Sequence, residues 1–98
     1  MFNELYPKFV LVDSGLIITK CKYHRDIVPP RENCHGGGWW IKNEDTFTLY
    51  SSSDEFGYAD LKVVQKHIDE GNVFSNSRMI NRLNVENYQF ILTNKTYI

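Results

Sequence analysis

Three short segments of this 98-residue chain hold the side chains best suited to chemistry. His24 stands in Tyr23-His24-Arg25-Asp26-Ile27, and an imidazole is the usual group for moving a proton near neutral pH. Gly36-Gly37-Gly38 runs straight into Trp39-Trp40. Glycine weakens a strand, so three in a row signal a bulge, a left-handed backbone conformation, or close approach of a ligand or another backbone. Ser51-Ser52-Ser53 leads into Asp54 and Glu55. Successive N–H groups in such a turn can form an anion-binding nest, with serine hydroxyls as further donors. The same serines and Asp54 can instead cap a following helix. The glycine and serine runs read as two rims of a small polar site built on a sheet.

Other constellations carry less. Cys21-x-x-His24 followed by Cys34-His35 contains zinc-type ligands, but the spacing matches no common finger. In an extended stretch Cys21 and His24 also point to opposite faces. No metal is expected. The glycine run is followed by a strand pattern rather than a helix, which excludes a P-loop or dinucleotide fingerprint, so no cofactor is expected either. Cys21 lacks an activating neighbour pattern for a nucleophile. His35 fits a strand pattern, and His67 falls in mid-helix.

The elements that must hold these residues are legible from periodicity. Residues 8–13 and 16–23 read as strands joined at Ser14-Gly15, and residues 34–42 and 46–51 as a second hairpin turning at Asn43-Glu44-Asp45. Pro29-Pro30 marks residues 28–33 as a loop. Residues 60–70 form the best helix pattern, with Leu61, Val64 and Ile68 on one face and Gly71 as its C-terminal stop. A second short helix is expected from Ser75 or Ser77, covering Met79, Ile80 and Leu83, and residues 88–93 read as a closing strand. Trp39 and Trp40 point to opposite faces, one toward the core and one toward the surface or site. The expected fold is α+β: a small single domain over residues 1–98, with a mixed, mostly antiparallel sheet and one or two packed helices.

Composition narrows the function classes. A 42% hydrophobic share fits a folded chain, and a net charge of −1 argues against nonspecific nucleic-acid or anionic-membrane binding. No apolar run approaches the roughly 20 residues of a membrane helix. With no leader pattern and only two cysteines, the expectation is a cytoplasmic protein.

In order along the chain, these pieces resemble the phosphohistidine phosphatase family, also called the Janus/Ocnus family. Lys8-Phe9-Val10-Leu11-Val12 resembles its first strand, Tyr23-His24-Arg25-Asp26-Ile27 its histidine segment, Cys34-His35-Gly36-Gly37-Gly38 its glycine segment, and Leu49 to Ala59 its phosphate loop. The sequence around the glycines and the serine loop is also similar to small bacterial proteins of this shape. The resemblance implies a metal-independent phosphatase acting on phosphohistidine or a related phosphoramidate. His24 would be its general base and Lys8 a phosphate ligand. Ser53 with the N–H groups of Asp54 and Glu55 would complete the anion cradle, and Tyr23, Gly36, Gly37, Gly38 and Trp39 would wall the site. The implied partner is a phosphorylated protein or small phosphorylated molecule. Trp39 stands where the family places an arginine, and Asp54-Glu55 where it has apolar residues. Arg25 and Arg31 are the cations available to replace the lost charge. These departures make a non-catalytic binding module of the same fold the alternative.

Overall fold

The first strand is buried on both of its faces, and the rest of the fold is arranged around it. The computed structural model describes residues 4–96. Strand β1 (Tyr6–Val12) carries Phe9 to Val12 at 2% exposure or less, which is why its sequence is a continuous apolar run rather than an alternation. It pairs antiparallel with β2 (Gly15–Cys21) on one side and β3 (Cys34–Asn43) on the other. β3 continues antiparallel to β4 (Thr46–Tyr50). Two short edge strands, β5 (Val73–Phe74) and β6 (Gln89–Leu92), run parallel to β2 and β4. The six-stranded order is β5-β2-β1-β3-β4-β6, a mixed and mostly antiparallel sheet. With one α-helix packed on it among the described residues, the architecture is α+β.

That helix, α1 (Leu61–Asp69), starts where Asp60 accepts a hydrogen bond from the Lys62 N–H. Asp60, rather than Ser53 or Asp54, is therefore its cap. Gly71, at φ +76°, ends the helix as its spacing predicts. Val64 and Ile68 pack with Phe9, Leu11, Leu16, Ile18, Phe47 and Leu49 on one face of the sheet. On the opposite face, Val10, Val12, Ile17, Cys21, Phe74 and Ile27 form a second cluster. No helix among the described residues is long and apolar enough to cross a membrane.

Two expectations need correction. The short helix expected from Ser75 or Ser77 is absent. After β5 the chain turns on itself: Asn76 accepts the N–H groups of Met79 and Ile80, and Leu83 N–H returns to the Val73 carbonyl. Met79 takes φ +56°, which breaks helical propagation, and Ile80 is 70% exposed, so the apolar spacing there marks no buried face. The second strand also ends at Cys21 rather than Tyr23. The Asp26 carboxylate accepts the Tyr23 N–H and closes a 3-10 turn over His24–Ile27.

Candidate functional site

The close approach implied by the glycine run is physical. Gly36 has φ +127°, and a Cβ there would stand 2.4 Å from the carbonyl oxygen of Tyr58. At Gly37 a Cβ would stand 2.5 Å from the Phe9 carbonyl oxygen and 3.0 Å from Cδ2 of His24. The Cδ2–Nε2 edge of the imidazole therefore sits against a strand that can carry no side chain beneath it. Gly38 supplies its carbonyl, 2.8 Å from His24 Nε2. A carbonyl only accepts, so Nε2 carries the proton and Nδ1 is the lone-pair nitrogen of the neutral ring.

The 3-10 turn delivers His24 to this position, and the sheet register delivers its neighbours. Lys8 and Trp39 are paired across β1 and β3 on the same face. Lys8 Nζ donates to the Lys22 carbonyl at 2.7 Å and lies 5.1 Å from the Trp39 ring centre and 5.5 Å from that of Tyr6. Trp40, on the other face, reaches back across β1 and donates its indole N–H to the carbonyls of Thr19 and Lys8. The expected division of the two tryptophans is what the strand produces.

A cavity of about 260 Å³ opens at this point, lined by Lys8, Tyr23, His24, Arg25, Trp39, Ser52, Asp54 and Glu55. Lys8, Tyr23, His24, Trp39, Asp54 and Glu55 are thus brought together. Gly37 and Gly38 form the wall behind His24, and Gly36 is turned toward the Tyr58-Ala59 backbone. Ser53 does not line the cavity. It is 3% exposed, and its Oγ accepts the N–H groups of Glu55 and Phe56, shaping the loop from inside. The Glu55 N–H is therefore engaged within the loop.

Ser52 occupies the lining position instead. Nothing in a run of three serines distinguishes it; the bend at Ser51, φ +62°, selects it. Arg25, and not Arg31, is the arginine of the cavity. Its guanidinium lies 4.3 Å from the Tyr23 ring centre and donates to Glu55 at 3.2 Å. The signal for Arg25 was its place beside His24 in a segment that turns.

Burial holds the His24 pKa below its ordinary value, and Lys8 pushes the same way; the Gly38 carbonyl and the carboxylates of Glu55 and Asp54 oppose them. Burial thus favours the neutral form of the ring. Burial also pushes the Cys21 and Cys34 thiols up, which disfavours thiolate chemistry at either.

The two cysteines pair with Tyr6 and Val12, opposite ends of β1. At about 3.3 Å per residue they are on the order of 20 Å apart, far beyond sharing a metal whose thiolate bonds are about 2.3 Å. Among the described residues, no group of three or more histidine, cysteine or acidic side chains is placed to hold a metal ion. His35 sits at the Val12 end of β1, bonded to Asp13 at 2.5 Å, and lines a separate hollow with His67.

No family model, no curated protein and no solved structure matches this chain.

Proposed function

We propose that this chain is a metal-independent phosphatase acting on phosphohistidine or a related phosphoramidate, with His24 as general base and Lys8 as phosphate ligand. The observation that carries the reading is an imidazole whose Nε2 meets the Gly38 carbonyl, leaving Nδ1 uncommitted to it, in one cavity with two cations, Lys8 and Arg25. Phosphoryl transfer needs an in-line nucleophile and preorganised positive charge around the equatorial oxygens, and little else from the protein. In the proposed reaction a water oxygen forms a bond to phosphorus while the P–N bond breaks. His24 takes the water proton, and the leaving nitrogen takes up a proton from solvent as it departs. Lys8 and Arg25 meet the charge on the phosphoryl oxygens, and the loop shaped by Ser53 sets the cavity's far rim.

Phosphate release from a phosphohistidine substrate, followed by ³¹P NMR, tests this. The expected result is release by the wild type and a loss of about a hundredfold or more in His24→Ala, the scale of general-base catalysis. Equal release by both, or none by either, removes the enzymatic reading.

The Arg25–Glu55 ion pair favours a second reading, a non-catalytic binding module of the same fold, because that arginine already has an anion. Titration with inorganic phosphate, followed on the His24 resonances, separates the two. A shift saturating at millimolar phosphate counts against a degenerate anion site, and silence supports one.

A further inference from the structure

We infer that Asp54 and Glu55 recognise a positive charge beside the phosphoryl group, so that the preferred ligand is a phosphoryl group flanked by a basic side chain. The inference rests on the anion-site reading above and concerns what that site selects.

The charges that line the cavity carry the argument. Lys8 and Arg25 face Asp54 and Glu55, with His24 neutral, so the formal charges of the lining cancel. A bare phosphate dianion meets two cations and two like charges there, which is a poor match. A ligand that brings a phosphoryl group and a cation together matches all four side chains. Among the described residues Glu55 has Arg25 as its partner, whereas Asp54 makes no ion pair or hydrogen bond. When the phosphoryl group engages Arg25, the Glu55 carboxylate loses its partner and stands beside Asp54 as a second unmatched acid. Two adjacent carboxylates without a cation repel, and a ligand's ammonium or guanidinium removes that repulsion.

The aromatic walls point the same way. The Tyr23 ring already has Arg25 at 4.3 Å and Lys22 at 5.4 Å, and Trp39 has Lys8 at 5.1 Å. Their faces are negative and receive cations, and Tyr23 is 41% exposed at the cavity rim. Acid loop and aromatic faces together form a surface that accepts positive charge at the edge of an anion pocket.

The test uses peptides carrying a non-hydrolysable phosphoryltriazole in place of phosphohistidine, identical except for lysine, alanine or glutamate at the adjacent positions. Wild-type protein is expected to bind the lysine peptide about five- to tenfold more tightly than the glutamate peptide, the scale of one partly exposed ion pair. In Asp54→Asn/Glu55→Gln that ratio falls toward one, while affinity for inorganic phosphate rises. Asp54→Asn alone, which leaves the Arg25–Glu55 pair intact, gives an intermediate ratio. A wild-type ratio near one, or a ratio unchanged in the double variant, overturns the inference while leaving phosphate binding in place. If neither peptides nor inorganic phosphate bind the wild type, the anion-site reading itself fails and this inference falls with it.

Discussion

The Nε2–H of His24 donates to the carbonyl of Gly38 across 2.8 Å, and this hydrogen bond selects the tautomer of the one histidine that lines the cavity with Lys8. The carbonyl belongs to a glycine because backbone and ring both crowd that position: a Cβ at Gly38 would stand 2.4 Å from the Tyr50 carbonyl oxygen and 2.8 Å from Phe9 Cε1. Backbone, ring and core are thus coupled at one point.

Acid should destabilise the protein through this ring. Burial lowers the folded-state pKa of His24 below 6.5, so the unfolded chain binds the proton more readily. Its contribution is fully present above pH 6.5 and is lost as the pH falls from there through the folded-state value. Urea midpoints measured at pH 8 and pH 5 should fall more for the wild type than for His24→Gln. Equal falls would show that the ring does not titrate as its burial requires.

Gly37→Ala should cost about 2–3 kcal/mol, because the new methyl group meets backbone at Phe9 and the His24 ring at once. Gly57→Ala is the comparison: nothing lies within 4 Å of its Cβ position, and only its φ of +76° is strained, a cost of about 1–2 kcal/mol. Denaturant unfolding gives both values. Only the first variant should also move the His24 NMR resonances.

Trp40→Phe should lose about 1–2 kcal/mol, since the carbonyls of Thr19 and Lys8 share the indole N–H and a phenyl ring offers neither a donor. Trp39→Phe should leave stability nearly unchanged and weaken phosphate binding through a poorer platform for Lys8. Unfolding midpoints and phosphate titrations of the two variants should therefore separate in opposite directions.

Ser53→Ala should cost about 1 kcal/mol, as loss of a capping hydroxyl does elsewhere, and should speed hydrogen exchange at the amides of Glu55 and Phe56. Exchange unchanged at those two amides would mean that the hydroxyl does not hold the loop.

The helix over Leu61–Asp69, its stop at Gly71 and the hairpins β1–β2 and β3–β4 were legible because each is written in adjacent residues: a period, a cap, a two-residue turn. The second expected helix does not form, because spacing among Met79, Ile80 and Leu83 cannot reveal that Asn76 accepts the N–H groups of Met79 and Ile80 in a turn. The closing strand expected over residues 88–93 forms as β6, but its parallel pairing with β4, and the short strand β5 beside β2, escape local reading, since the partners lie far along the chain.

The candidate site divides the same way. Residue types alone single out His24, the glycine run and the serine loop, because proton transfer, anion binding and close backbone approach each demand particular side chains, whereas Lys8 is singled out only by the family resemblance. That Lys8 faces Trp39, that Ser53 turns inward while Ser52 lines the cavity, and that Arg25 meets Glu55 follow from strand register and burial. Backbone propensities act between neighbours, whereas register and burial are set by contacts between segments that the chain itself keeps apart.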